Sequence, residues 1–405
     1  MLRIRSTFAF LTVFAAGIAA CAHPAGAAPG SCTEPVTLGT TISSTGGDAP
    51  MAAKWRDLTI EFARMINERG GIDLKSCGAK LPVKFVIYDD RSEPDTAAAL
   101  FERLATVDRV DFLVGPDGAR KAAAAAVAAE KHKIPALMSN VVDPQVFRRG
   151  NKYVWGTPIP TVANRSARYF DMLSRQTPRP KTIFFVTQDH PSTVAISEIW
   201  SKRAAQMGFN VLSTDAFPAD RKDFTALILK LRLRRPDVVY ISSLAGPSAA
   251  LLQQMRKLNL RARDVHHAMP SGVLAKRIGD GLEGVTGSIP WYPGVKGPLS
   301  DFAEELLERA GIDLFDSPQT MSRIVAYLIM IQAVERAGAV DREKVRQVLH
   351  TGSFDMPIGP VSFDQTGFAH RNGAITLQIQ KGRPVIVWPP EIATGKLMYP
   401  SPSWQ

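Results

Sequence analysis

Apolar residues in this chain gather in short, almost unbroken runs, and helical spacing fills the intervals between them. A run over 36–41 leads into a polar loop, Ser43 to Asp48. Trp55, Leu58, Phe62, Met65 and Ile66 then recur with a helical period, which predicts a helix over 51–69 stopped by Gly70-Gly71. Next come an apolar run ending in Asp89-Asp90, a helix over 94–107, and a strand ending Val114-Gly115-Pro116-Asp117-Gly118. An alanine-rich helix over 122–131 and a strand over 134–140 that stops on Ser139-Asn140 complete the series. Continuously apolar strands alternating with helices predict a parallel sheet covered on both faces. Ligands of such sheets lie beyond the carboxyl ends of the strands, here at Asp90, Asp117 and Ser139-Asn140.

Turn residues over 153–158 predict a passage out of this first unit, and the same alternation then starts again. Helices are expected over 162–175, up to 207, over 224–235 and over 249–258, with strands over 182–187, at Val211-Leu212, and over 238–241. A strand over 285–289 and Pro290-Trp291-Tyr292-Pro293 predict a return passage, followed by helices over 299–310, 321–338 and 342–350. Trp155, Trp291 and Tyr292 are expected to pack at these passages. The runs over 359–364, 375–380 and 384–388 sit between Gly-containing turns and predict antiparallel strands that finish the second unit. The fold class is therefore α/β, with two doubly wound units.

At 405 residues, 45% apolar and 21% charged, the composition fits a soluble protein of two compact units. The net charge of +11 raises the question of an anionic polymer as partner. The basic residues are scattered, however, and the densest group (Lys230, Arg232, Arg234, Arg235) has no interleaved aromatics, so nucleic-acid binding is set aside. Residues 1–30 read as a signal peptide, with Arg3 and Arg5 ahead of an apolar stretch over 8–20. Cleavage is expected after Ala25-Gly26-Ala27 (27/28), or at 20/21, where Ile18-Ala19-Ala20-Cys21 resembles a lipobox and leaves a lipidated Cys21. Both routes place the folded chain in the periplasm, soluble or anchored. Cys32 and Cys77 each precede a strand of the first sheet. If those strands are parallel neighbours, the cysteines meet at one edge as a disulfide, worth about 4 kcal/mol for a loop of that length.

The stretches Ile66-Asn67-Glu68-Arg69-Gly70-Gly71-Ile72, Tyr88-Asp89-Asp90-Arg91-Ser92-Glu93-Pro94 and Val114-Gly115-Pro116 form a jointly specific set with three later ones. Those are Ala337-Gly338, Gly359-Pro360-Val361-Ser362-Phe363-Asp364 and Trp388-Pro389-Pro390-Glu391. In this order the chain resembles the type I periplasmic solute-binding proteins of ABC importers, in the branch of the leucine/isoleucine/valine-binding proteins. The resemblance implies two α/β lobes joined by three crossovers that close on a small solute, a membrane permease as partner, a monomer, no cofactor and no enzymatic activity. The lobes are expected to comprise 31–156 plus 290–351, and 157–289 plus 352–405.

Amino-acid-binding members hold the ligand carboxylate with a Ser and a Thr, the ammonium with a Glu, and cover the ligand with tyrosines. On an ungapped alignment those positions carry Ala119, Asp143, Ser271, and Asp48 and Thr193. Asp117 is placed to cap the helix that follows it, taking N–H groups an anion would use. Asp143 would repel a carboxylate, and Ser271 gives an ammonium no counter-charge. The pocket is thus not expected to suit a free branched-chain amino acid. Candidate ligand-binding positions are Asp48, Asp117, Gly118, Ala119, Asn140, Val141, Asp143, Asp189, Thr193 and Ser271. A rival reading is a metal or cationic solute held by Asp48, Asp117, Asp143 and His190. Against it, each residue also has a structural role open to it: Asp143 in the turn before Pro144, and Asp189 as cap of the helix after Pro191.

Gly279-Asp280-Gly281-Leu282-Glu283-Gly284 fits a dinucleotide fingerprint in spacing but follows a helix and precedes a strand, so it is rejected. His266-His267 and Met269 are expected in a loop near the cleft. Ser271 beside His267 is a crude hydrolase candidate, and their closeness in one loop argues against a productive pair. A sensory or accessory role on the same fold is the remaining alternative.

Overall fold

The computed structural model describes residues 32–402, apart from 142, 148–149, 158–159 and 371–372. The leader, both cleavage positions and Cys21 lie outside the described residues. Five parallel strands form the first sheet in the order Val83–Asp89, Val36–Ile42, Phe112–Asp117, Ala136–Ser139, Val154–Gly156. The second sheet repeats this plan: Asn210–Phe217, Thr182–Gln188, Val238–Ser242, Asp264–His267, Thr286–Ile289, all parallel. Antiparallel Ile375–Gln380 and Arg383–Trp388 extend its far edge. Each half begins on its second strand, crosses to its first and runs on through third, fourth and fifth, the doubly wound order whose ligands sit at the carboxyl tips. The chain passes between the sheets after Gly156, after Ile289 and before Ile375.

Short apolar strands become central because helices cover both faces. Trp55–Glu68 buries Trp55, Leu58, Phe62 and Met65 on one stripe. Gly71 then turns the chain at φ +92, where a Cβ would lie 2.3 Å from the Leu81 carbonyl oxygen. Thr320–Ala337 is buried almost all round and packs against Phe112–Asp117 and Ala136–Ser139, so it belongs with the first sheet despite its distance in sequence. Cys32 and Cys77 precede neighbouring parallel strands and form a disulfide, with Cα atoms 5.4 Å apart.

Four expectations need correction. The 51–69 helix is two helices, Ala49–Ala52 and Trp55–Glu68. The 162–175 helix is shorter, Ala167–Ser174, and a single turn closed by Arg165 N–H to Thr161 O (3.0 Å) precedes it. His266-His267 lie on a strand, Asp264–His267, not in a loop, and the helix Gly272–Ile278 follows. Finally, Gly359–Phe363 does not finish the second sheet. It pairs with Ser353–Met356 and Ala369–His370 in a separate three-stranded sheet that packs on helices Thr320–Ala337 and Arg342–Thr351. Alternation showed strand character there, but Phe354 and Val361 find their apolar cover on those helices.

Candidate functional site

A cleft enclosing about 580 Å³, the open solvent at its mouth included, lies between the carboxyl tips of the two sheets. From the first-sheet side come Asn140, just past Ala136–Ser139, and Gln319, Met321 and Ser322 at the start of Thr320–Ala337. Facing them are Met269, beyond Asp264–His267, Ser288 on Thr286–Ile289, and Arg165, ahead of Ala167–Ser174. Pro160, Pro290, Pro318 and Ile358 close the remaining wall. The lining is thus an apolar surface with a few convergent polar groups, the usual make-up of a small-molecule site. The amino-terminal end of the long helix adds partial positive charge.

Arg165 is half-buried, and its Nη2 donates to the Pro160 carbonyl at 3.0 Å. Nε has no hydrogen-bond partner, and the side chain forms no ion pair among the described residues. Burial holds its pKa below the ordinary arginine value, opposed by the nearby Tyr240 phenol. Asn140 adopts φ +53, a left-handed conformation that asparagine tolerates. Its backbone N–H donates to Ser322 Oγ (3.0 Å), and its Nδ2 donates to Asp117 Oδ1 (2.5 Å).

The strand-end acids of the first sheet are already neutralised. Asp117 does not cap the following helix, whose N-cap is Gly118 at φ +88. Its carboxylate pairs with the fully buried Arg323 and accepts from Ser139 Oγ at 2.8 Å. Arg323 also donates to Tyr327 OH (2.9 Å), Thr40 Oγ1 (3.2 Å) and Thr41 O (3.2 Å), and it lies over the Trp55 ring. Burial opposes its charge, yet Asp117 and Tyr327 outweigh burial and hold its pKa above the ordinary value. Asp48 pairs with Lys121 Nζ at 2.6 Å, and the same ammonium reaches Ser43 Oγ (2.5 Å) and Asp90 (3.7 Å).

The other expected positions lie away from the cavity lining. Ala119 opens the helix Ala119–Lys131, and Val141 is buried in the apolar core beneath it. Asp143 is exposed and accepts the Gln145 N–H in a turn (2.9 Å). Asp189 is exposed, and the cap of helix Pro191–Gln206 is His190 rather than Asp189. Thr193 is buried, and its hydroxyl donates back to Gln188 O (2.7 Å). Ser271 caps Gly272–Ile278 by accepting the Leu274 N–H (3.3 Å), while His267 bonds Ser248 (2.7 Å), so no Ser–His pair forms. Of the ten candidates, Asn140 borders the cavity. No group of three or more His, Cys, Asp or Glu side chains among the described residues stands where it could hold a metal ion.

Sequence reading missed Arg165, Gln319, Met321, Ser322 and Ser288. The helix starts only after Ser166, whose hydroxyl meets Tyr240 OH (2.6 Å) rather than capping it, so Arg165 lies in the preceding turn. Beneath the second wall lies a buried polar network. Ser288 Oγ meets His266 Nε2 (3.3 Å), His266 Nδ1 meets Thr286 Oγ1 (3.1 Å), and Thr286 and Tyr169 both donate to Asp264 (2.8 and 2.6 Å). Burial raises the Asp264 pKa to about 6 against those two hydrogen bonds. It lowers His267 to about 4 and His266 well below the usual histidine range, where repulsion from His267 once that ring is protonated adds to the effect. The imidazole beneath Ser288 is therefore neutral near pH 7.

A repeated doubly wound lobe with a cavity between facing strand tips defines a two-lobed binding protein. The sequence pattern of the periplasmic binding protein family matches residues 35–383. The chain belongs to this family, in the type I branch of the Leu/Ile/Val-binding proteins. It is 26% identical over 313 residues to a leucine-, isoleucine-, valine-, threonine-, and alanine-binding protein of Pseudomonas aeruginosa, covering 75% of this chain and 78% of that protein. A branched-chain amino acid transporter substrate binding protein from Streptococcus pneumoniae, solved with isoleucine, shares 17% identity at TM-score 0.64 over 87% of this chain and 98% of that one. An ABC transporter solute binding protein from Rhodopseudomonas palustris, solved with 3,4-dihydroxybenzoic acid, shares 19% identity at TM-score 0.67 over 92% and 99%. These relatives are solute-binding proteins rather than enzymes, and the family is extracytoplasmic. No helix among the described residues is long and apolar enough to cross a membrane.

Proposed function

We propose that this protein is the extracytoplasmic solute-binding component of an ABC importer and that its solute is not a standard branched-chain amino acid. The observation that carries this reading is the cavity at Asn140, Arg165, Ser288 and Ser322, whose wall draws residues from both sheets and, among the described residues, contains no carboxylate to hold an ammonium. A solute touching both sides favours the closed arrangement of two lobes over the open one by its differential contacts, which is what a permease can read. In the mature chain, processed at 20/21 or 27/28, the protein acts as a monomer at the membrane surface and needs no cofactor. Solved relatives span isoleucine and 3,4-dihydroxybenzoic acid as bound molecules, so the fold accommodates solutes of either kind.

Thermal-shift and calorimetric titration of the purified chain test this reading. Leucine, isoleucine and valine are expected to leave the melting temperature unchanged, while a member of a broad organic-solute panel raises it saturably. Tight binding of leucine would overturn the exclusion, and absence of any stabilising solute, with none co-purifying, would overturn the importer role. The metal version of the role gains no support from Asp48 and Asp117, since each already faces a cation of the protein itself.

A further inference from the structure

Resting on the proposed solute-binding role, we infer that the cavity selects a small carboxylic acid with an apolar body and a hydroxyl or N–H donor, and rejects solutes that carry an ammonium. The anchor for the carboxylate is Arg165. Its guanidinium is planar, always charged and forked, a geometry that fits a carboxylate better than any neutral acceptor. Here it borders the cavity, the Pro160 carbonyl is its one hydrogen-bond partner among the described residues, and its buried Nε is unbonded. A buried donor left without a partner costs free energy that a ligand oxygen recovers on binding.

Asn140 supplies the complementary half. The Asp117 carboxylate accepts hydrogen bonds only, so the Asn140 nitrogen must face it at 2.5 Å, and the amide oxygen is turned the other way. That oxygen is buried and has no donor among the described residues. A solute hydroxyl or N–H satisfies it, whereas a second carboxylate there would be repelled. Cation and acceptor thus stand in one cavity on opposite sides of the interlobe gap. Between them Met269, Met321, Ile358 and three prolines offer no polar side-chain group, which suits an apolar body.

The rejection of ammonium follows from charge. Among the described residues no Asp or Glu borders the cavity, and Asp117, which holds Asn140, is committed to Arg323. An ammonium brought in beside Arg165 would meet a like charge in a partly dry site with no counter-ion.

The experiment is isothermal titration of the full mature chain with matched probes: 4-hydroxybenzoate, benzoate, 4-hydroxybenzamide, 6-hydroxyhexanoate, hexanoate and leucine. At least one hydroxylated carboxylate is expected to bind, with its amide or deoxy analogue at least tenfold weaker and leucine not binding. In Arg165→Gln the preference for carboxylate over amide should disappear, and in Asn140→Leu the preference for the hydroxylated over the deoxy acid. Arg165→Lys, which keeps the charge and loses the fork, should retain part of the carboxylate preference and guards against misreading a folding defect. Equal binding of acid and amide by the unaltered protein overturns the inference. So does binding of leucine, or of neutral solutes alone, and in those cases the solute-binding role stands. Failure of every probe and of a broad solute panel overturns both.

Discussion

The acids at the strand tips of the first sheet and the arginine facing them live under opposite electrostatic conditions. Asp117, Asp90 and Asp48 each meet a cation supplied by the chain itself, Arg323 or Lys121, and hydroxyl donors also reach Asp117 and Asp90. Arg165 meets a carbonyl and no carboxylate. The difference separates structure from function: a charge that the protein has balanced holds strands and helices in register, whereas an unbalanced one in a cavity waits for something from outside. Asp117 and Asp48 therefore belong to the scaffold, and the unbalanced charge stands across the gap.

The largest expected effect comes from breaking a balanced pair. Arg323→Met strands the Asp117 carboxylate in a buried site and should lower stability by about 3–5 kcal/mol, read from the urea unfolding midpoint. Adding Asp117→Asn should restore part of that loss, because the uncompensated charge is gone. A loss below about 1 kcal/mol would show that the pair is not structural. Next in size, Cys32→Ala with Cys77→Ala should cost about 2–4 kcal/mol by freeing the loop in the unfolded chain, seen as a lower melting temperature that reductant no longer changes.

A smaller effect follows from the network beneath Ser288. The folded-state pKa of His267 is depressed to about 4, so its contribution is present above pH 6.5 and is lost as pH falls from there through 4. His266 acts in the same direction. Asp264 is raised to about 6, so its contribution is greatest below pH 3.8 and fades as pH rises through 6. Acidification from pH 7 to 5 thus sets two losses against one gain, and a net loss on the order of 2 kcal/mol is expected from melting curves. His267→Asn should make that dependence shallower. A melting temperature that rises on acidification over this range would contradict the assignment of neutral buried imidazoles.

Much of the architecture was legible in the chain. Runs such as 182–187 and 238–241 carry apolar residues on both faces, as central strands do, and the repeated alternation yielded two doubly wound halves. Asp264–His267 was illegible because its polar residues are buried against one another, so it lacks the apolar signature of its neighbours. The hairpin of Ile72–Leu74 and Ala79–Leu81 was too short to show a period. At the site, Asn140 was visible as a strand end, whereas Arg165 was hidden by a helix drawn too early. Arg323 carried a signal that went unused: a lone charge in an otherwise apolar helical run over 321–334 is buried, and a buried charge needs a partner. Pairing Asp117 with it requires contact across 206 positions of sequence, which local spacing does not reveal.

The contrast between balanced and unbalanced charge is tested most directly by the melting temperature of Arg165→Gln, measured without solute and with a saturating carboxylate that stabilises the unaltered protein. The account predicts an unliganded melting temperature within a degree or two of the original, since an unpaired surface-connected charge adds about 1 kcal/mol or less, together with loss of the solute-induced rise. An unliganded protein destabilised as much as Arg323→Met, or a solute-induced rise left intact, would contradict it.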